Sequence, residues 1–229
     1  MLEQIIISTC PNRAYIHQTL RAIKADDLPI FLVMDSLEDY LPEYNFTKVL
    51  KTTNDGDAKE RALRNYCRCL MLAEGKNTLI LEDDVELRDD WRRDLKRFVA
   101  YVERVYSKYV LSIGEHWCPL GGFQSGAMVR GPLQIDFGLV REPVQTIIDN
   151  KALLCLAGTQ ARYYPKTLPI KEIVSTILNG FKETPILYDL LLGKYLFETQ
   201  TKIFISQYPL IRHIGQESTL GTEIHAPLD

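Results

Sequence analysis

No apolar run in these 229 residues approaches the roughly 20 that a membrane-spanning helix needs. Met1 leads within three residues into a strand-like segment, so no signal peptide or anchor is expected within these residues. The five cysteines, Cys10, Cys67, Cys69, Cys118 and Cys155, are odd in number and lack metal-finger spacing; they exclude a fully paired disulfide framework and point to a reducing compartment. Cys67 and Cys69, two apart on a predicted helix, are expected on different faces. An excess of charge of either sign is also missing. Lys and Arg number 27 against 30 Asp and Glu, for a net charge of −3, so no global field invites nucleic acid. There is no repeat, low-complexity tract or linker. The composition is ordinary for a globular protein, 46% hydrophobic and 25% charged, and the chain is long enough to bury a core without staples; a soluble, cytoplasmic, one-domain protein is expected.

The order of patterns along the chain is more informative. Residues 4–8 form a β-branched run ending in the polar turn Thr9-Cys10-Pro11-Asn12-Arg13, after which Ile16, Leu20 and Ile23 recur at helical spacing. Residues 29–34 read as a second buried strand ending at Asp35, and residues 47–51 as a third, shorter one. Asp57 is placed to cap a helix over 58–73 that Gly75 closes. A further helix is predicted over 91–106, with Leu95, Phe98, Val99 and Val102 at core spacing, then a strand over 109–113. The second half is less regular. Strand character returns at 127–130, a helical pattern runs from Pro143 to about 153, and 161–164 is β-like. A helix over 168–178 ends at Asn179-Gly180, Thr184-Pro185 opens another with Asp189 near its start, and 202–206 is a strand. Such alternation argues an α/β fold with a mainly parallel sheet covered by helices on both faces.

The chemistry centres on Leu79-Ile80-Leu81-Glu82-Asp83-Asp84-Val85. Three carboxylates follow an apolar strand and so reach the carboxyl edge of a sheet, where open α/β folds bind ligands. Adjacent carboxylates repel unless a divalent cation or a charged partner neutralises them. Two readings share this run: a metal site for a nucleotide diphosphate, or an acidic turn leading into the helix after Asp89 and Asp90. With two isolated carboxylates and a histidine elsewhere, the first suggests a sugar-nucleotide enzyme, whose pyrophosphate leaving group needs Mg²⁺ or Mn²⁺ more than a nucleophile.

Leu81-Glu82-Asp83-Asp84 resembles the DxD-type motif of glycosyltransferases with the GT-A fold. Together with Arg64-Asn65-Tyr66-Cys67, Thr184-Pro185-Ile186-Leu187-Tyr188-Asp189-Leu190-Leu191, Pro209-Leu210-Ile211-Arg212-His213-Ile214-Gly215 and Ser218-Thr219-Leu220, it looks like the catalytic core of the N-acetylglucosaminyltransferase IV family. That resemblance implies a GT-A-like (Rossmann-like) domain over residues 1–229, with 1–115 binding the nucleotide sugar and 116–229 the acceptor. It implies that Glu82 and Asp83 lie near the donor ribose and phosphates, and that Asp84 and His213 ligate Mn²⁺ or Mg²⁺. Asp189 matches the catalytic base of inverting members, with Glu183 its competitor. Thr9 and Arg13 match positions that cradle the nucleotide and Asp35 the acid that receives the uracil N–H, while Arg64 is a candidate partner for the diphosphate or for a carboxylate of the acidic motif. Gly121 and Gly122, in a loop rich in glycine and aromatics, read either as a place where the backbone approaches the donor sugar or acceptor or as an ordinary surface turn. Taken alone, His213 reads as an ordinary satisfied side chain, Arg64 as part of a solvated basic face, and Asp189 as a complement to its helix dipole.

Family members begin with a membrane anchor and stem and often carry a C-terminal module; none is found here, so the chain is expected to be a stripped core. The expected activity is metal-dependent, inverting transfer from a UDP-sugar, UDP-GlcNAc by resemblance with UDP-glucose and UDP-galactose open. The acceptor is a hydroxyl on a glycan, protein, lipid or modified nucleic-acid base. A retaining transferase of the same fold and a non-catalytic nucleotide-sugar or glycan-binding module are the competing readings.

Overall fold

Ile5, Ile6 and Ile7 are each fully buried, which in a strand requires cover on both faces of the sheet. The computed structural model shows how that cover is supplied, and describes residues 1–10, 15–23, 27–35, 44–52, 55–113, 140–141, 145–148, 151–154, 161–185, 188–206 and 210–215. In chain order the elements are β1 (Gln4–Thr9), α1 (Ile16–Ile23), β2 (Ile30–Met34), β3 (Lys48–Lys51), α2 (Ala58–Ala73), β4 (Thr78–Glu82), β5 (Val85–Leu87), α3 (Trp91–Val102) and β6 (Tyr109–Ser112). They continue with β7 (Val140–Arg141), β8 (Gln145–Ile148), β9 (Lys151–Leu154), β10 (Ala161–Tyr164), α4 (Ile170–Glu183), α5 (Tyr188–Glu198), β11 (Lys202–Ser206) and β12 (Ile211–His213).

The main sheet has eight strands in the order β3-β2-β1-β4-β10-β6-β11-β7, and β10 and β7 run against the other six. Alternation along each strand splits the interior into two cores. Ile5, Ile7, Leu79 and Leu81 face α1 and α3, whose Leu20, Ile23, Trp91 and Phe98 fill that side. Ile6, Ile80 and Val110 face α2, α4 and α5 through Leu70, Ile173 and Leu192. The expected architecture, a mainly parallel sheet with helices on both faces, is the one observed. Among the described residues no helix is long and apolar enough to cross a membrane.

Local chemistry explains the boundaries of α2. The Asp57 side chain accepts from the Glu60 N–H at 2.9 Å, satisfying one of the helix's unpaired donors, and Gly75 follows at φ +70°, the left-handed turn that ends helices cheaply for glycine. From inside α2, Asn65 Nδ2 donates to Ser8 Oγ at 2.8 Å and lies 3.4 and 3.3 Å from the carbonyls of Thr9 and Val33. One amide thus ties together the carboxyl ends of β1 and β2.

Three sequence expectations need correction. The helix expected from Pro143 to about 153 is instead the antiparallel pair β8 and β9, with Ile148 opposite Lys151. Ile147-Ile148 and Leu153-Leu154 are two short apolar runs on either side of an Asp-Asn pair, and such runs do not distinguish helix from strand. α4 does not end at Asn179-Gly180 but continues to Glu183. Gly180 serves close packing, since a Cβ there would stand 2.9 Å from Leu191 Cδ2 of α5. Where a helix is expected to open at Thr184-Pro185, Pro185 is itself non-helical rather than part of the first turn; the helix is described from Tyr188, and residues 186–187 lie outside the described ones. The strand expected at 127–130 lies outside the described residues.

Candidate functional site

The three strands β2, β1 and β4 are neighbours and parallel, with Thr9 opposite Met34 and Ser8 opposite Glu82. Their carboxyl ends therefore carry Asp35, Thr9 and the Glu82-Asp83-Asp84 turn to a single edge of the sheet, the edge at which open α/β folds bind ligands. Arg13, Gly121 and Gly122 lie outside the described residues.

Asp83 and Asp84 are each only 3% exposed, and two adjacent buried carboxylates need compensation. Asp83 turns toward β1, where its Oδ2 accepts from the Thr9 hydroxyl at 2.5 Å and from the Cys10 N–H at 3.3 Å. The turn itself is braced from α1. Thr19 Oγ1 lies 2.8 and 2.7 Å from the carbonyls of Asp83 and Val85 and accepts from the Val85 N–H at 3.2 Å. Glu82 is half-buried at the end of β4, close enough to α2 for its charge to act on the Cys69 thiol.

Asp84 is met from the far end of the chain. β12 pairs antiparallel with β5, His213 opposite Val85, and the Ile214 N–H donates to the Asp84 carbonyl at 2.8 Å. This ribbon sets His213 Nε2 3.1 Å from Asp84 Oδ2. Gly215 completes the approach, because a Cβ on it would lie 2.4 Å from Asp84 Oδ2; only a residue without a side chain lets the backbone pass so near the carboxylate. The separation suits a metal. Two ligands at right angles about an octahedral ion with bonds of about 2.1 Å stand about 3 Å apart. Among the described residues no group of three or more His, Cys, Asp or Glu converges on one point, and Asp84 with His213 matches the sparse protein set of ions that take their other ligands from phosphates and water.

Asp35 sits at the end of β2, 3% exposed. Its N–H donates to the Thr9 carbonyl at 2.9 Å, Thr52 Oγ1 is 3.4 Å from its Oδ1, and Arg61 Nε is 3.7 Å from its Oδ2. Burial pushes the Asp35 carboxyl above the ordinary carboxylate range, opposed by the charge of Arg61, the Thr52 hydroxyl and the charge of Arg64. Arg64 thus belongs to this edge, one turn along α2 from Arg61.

Asp189 occupies the first turn of α5, half-buried, whereas its competitor Glu183 is exposed at the carboxyl end of α4, where the helix dipole disfavours an anion. Cys67 and Cys69 are both buried, and burial pushes each thiol up to about 12, so both are inert packing groups. Thr19, Thr52, Arg61 and Gly215 escaped the sequence reading as site residues. Thr19 was visible as a polar residue inside the apolar stripe of Ile16, Leu20 and Ile23, and Arg61 as the residue three before Arg64.

No protein-family profile and no curated protein matches the chain in sequence. Solved structures match it in shape. S. aureus TarS 1–349 has a TM-score of 0.51 and 17% identity, covering 93% of this chain and 60% of that one. The same TarS fragment in complex with UDP-GlcNAc has a TM-score of 0.51 and 17% identity, covering 95% of this chain and 60% of that one. The fold is GT-A-like. At this identity the likeness concerns the fold alone, and the chain spans 60% of the length of the TarS fragment.

Two expectations follow from the geometry. Gly215→Ala should part Asp84 from His213, moving the His213 imidazole ¹⁵N shifts toward those of an Asp84→Ala variant; shifts held at wild-type values would show that the ribbon absorbs the methyl elsewhere. For Asp35 the folded-state pKa exceeds the unfolded one, so the folded protein binds that proton more tightly and loses stability as pH rises through the interval between the two values. Asp35→Asn cannot ionise. It should melt above wild type at pH 7 and lose that advantage below about pH 4; an equal or lower melting temperature at pH 7 would mean that the arginine charges outweigh desolvation.

Proposed function

We propose that this chain is a metal-dependent, inverting glycosyltransferase that moves a sugar from a UDP-sugar to an acceptor hydroxyl, with GlcNAc as the first donor to test. The observation that carries the proposal is the meeting of Asp84 and His213, 129 residues apart, on the edge that also holds Thr9, Asp35 and Arg64. The UDP-GlcNAc held by TarS, a protein of like fold, and the resemblance of the acidic, Asp189 and His213 segments to N-acetylglucosaminyltransferase IV enzymes support the choice of donor.

In this reading residues 1–115 supply most of the nucleotide site and 116–229 the acceptor side. Asp35 receives the uracil N–H as a buried hydrogen-bond acceptor. Thr9, and Arg13 in the same turn, cradle the nucleotide, with Asp83 orienting the Thr9 hydroxyl. Glu82 and Asp83 border the ribose and phosphates, and Arg64 meets the diphosphate. Asp84 and His213 hold Mn²⁺ or Mg²⁺, which when bound offsets the negative charge that builds on the departing diphosphate. Asp189 takes the proton of the acceptor hydroxyl as that oxygen bonds to the anomeric carbon and the bond from that carbon to the UDP oxygen breaks. Attack on the face opposite the leaving group inverts the anomeric configuration.

The test is transfer from UDP-sugars to a panel of glycan, protein, lipid and nucleoside acceptors, with Mn²⁺ or EDTA. Asp84→Ala should abolish both transfer and Mn²⁺-supported UDP binding. Asp189→Asn should keep UDP binding and lower turnover by about 10²-fold or more. Turnover of Asp189→Asn near the wild-type rate would remove the base assignment, and metal-independent transfer would remove the role of Asp84 and His213. Proton NMR of the product reads the anomeric outcome, and retention would replace the inverting mechanism.

A further inference from the structure

An arginine stands inside a strand where an apolar residue would be expected. β10 reads Ala161-Arg162-Tyr163-Tyr164 and lies between β4 and β6, with Arg162 opposite Ile80 on one side and Ser112 on the other. Its side chain is fully buried. A guanidinium stays charged in proteins and is almost never buried without a counter-charge, so its surroundings identify what it serves.

Alternation along β10 turns Tyr163 toward α1 and α3 and Tyr164 toward α2, α4 and α5, and Arg162 shares the face of Tyr164. On that face the hydroxyls of Tyr164 and Tyr66 are hydrogen-bonded, and the Tyr66 ring stacks on Tyr188 with centroids 4.6 Å apart. Tyr188 directly precedes Asp189. The stack therefore holds the first turn of α5 against α2, over the face of β10 that carries Arg162, whose neighbour on β4, Ile80, lies two residues before Glu82.

The electrostatics agree with the packing. Burial alone would lower the Arg162 pKa, yet Tyr66, Tyr164 and Asp189 together raise it above the ordinary arginine value. Burial holds both phenols above their usual range, so they are neutral near pH 7. Of the three neighbours, the carboxylate is the one whose ordinary range leaves it charged there. α5 packs on α4, β9 and β11, which carry Lys171, Glu172, Lys182 and Glu183, Lys151, and Lys202 respectively; Tyr66 and Cys69 of α2 and Arg162 and Tyr164 of β10 lie on the same side of the sheet. Glu172 accepts from Tyr195 Oη at 3.0 Å, six residues further along α5 from Asp189.

We propose that Arg162 is the positioning residue for Asp189: the buried guanidinium keeps that carboxylate ionised and orients the first turn of α5 toward the ligand-binding edge. The inference deepens the transferase reading and rests on it for the role of Asp189 as base. Arg162 touches no reacting atom. It acts by lowering the pH at which the base becomes protonated and by limiting the rotamers of its side chain.

The test uses the full chain, with Arg162→Met to remove the charge and Arg162→Lys to keep it. In UDP-sugar transfer between about pH 5 and 9, Arg162→Met should move the acidic limb of kcat upward by about one to three pH units. Its kcat should fall while the donor KM stays within about twofold, and Arg162→Lys should restore the limb toward wild type. An acidic limb unmoved in an active Arg162→Met enzyme overturns the positioning role. A melting-temperature cycle of Arg162→Met, Asp189→Asn and the double variant, without substrate, reads the pairing independently of turnover. The double variant should lose less than the sum of the two single losses, or fold where Arg162→Met alone does not, because Asp189→Asn strands a fully buried guanidinium and Arg162→Met leaves a half-buried carboxylate without its counter-charge; additive losses overturn the pairing. Wild-type protein with no transferase activity would defeat the functional reading, and the positioning role with it, whereas an active wild type with an unmoved limb defeats the inference alone.

Discussion

Two carboxylates side by side at the buried end of an apolar strand are the constraint to which much of this structure answers. Desolvating an ionised carboxylate costs several kcal/mol unless hydrogen bonds or a cation make up the loss. Asp83 is compensated locally, by the Thr9 hydroxyl and the Cys10 N–H from the turn after β1. Asp84 is compensated from a distance, by an imidazole that arrives with the last described strand. The Thr19 hydroxyl holds the peptide groups between them, so the turn cannot relax by swinging either acid into solvent without breaking contacts to α1. A site built this way is pre-organised before any ligand arrives.

The same constraint explains why the chain folds back on itself. Among the described residues β12 makes no pairing with the main sheet. It pairs with β5, and its flanks are anchored by Leu210 N–H to the Ile113 carbonyl at 2.8 Å and Arg88 N–H to the Leu210 carbonyl at 3.0 Å. The ribbon thus joins the carboxyl ends of β4 and β6 and delivers His213 and Gly215 to Asp84 as one unit. Asp35 extends the charged edge on the other side, where its burial is opposed by two arginines one helical turn apart. Buried carboxylates with cations close by, gathered at one rim of a parallel sheet, are the pattern expected of a ligand site.

The parts of the molecule that obey strong local rules were legible in the chain. The β-branched strand after Met1, the helix from Asp57 to Gly75, the core stripe of Leu95, Phe98, Val99 and Val102, and the acidic lip after Leu81 all read directly, because periodicity, capping and strand-end polarity are properties of neighbouring residues. What long-range pairing decides was not. Nothing near Val85 announces a strand, since β5 exists only through its pairing with β12. The antiparallel pair of β8 and β9 stands where the pattern predicts a helix, because two short apolar runs satisfy either period. Gly180 looked like a helix end and is a contact with Leu191. Arg162 drew no attention in the sequence because its meaning lies in Tyr66, Tyr164 and Asp189, which reach it from three different elements. The meeting of Asp84 with His213 was anticipated through a family resemblance, and the residues that make it possible, Thr19 and Gly215, were visible only once the turn was seen in three dimensions.

The most direct measurement is an anomalous difference map from crystals grown with UDP and Mn²⁺. A single manganese peak within bonding distance of both an Asp84 carboxylate oxygen and His213 Nε2, with UDP phosphate oxygens completing its shell and the uracil against Asp35, is the expected result. UDP bound at this edge with no manganese between Asp84 and His213, or manganese bound at another place, would contradict the claim that these two residues form the metal centre of a sugar-transfer site.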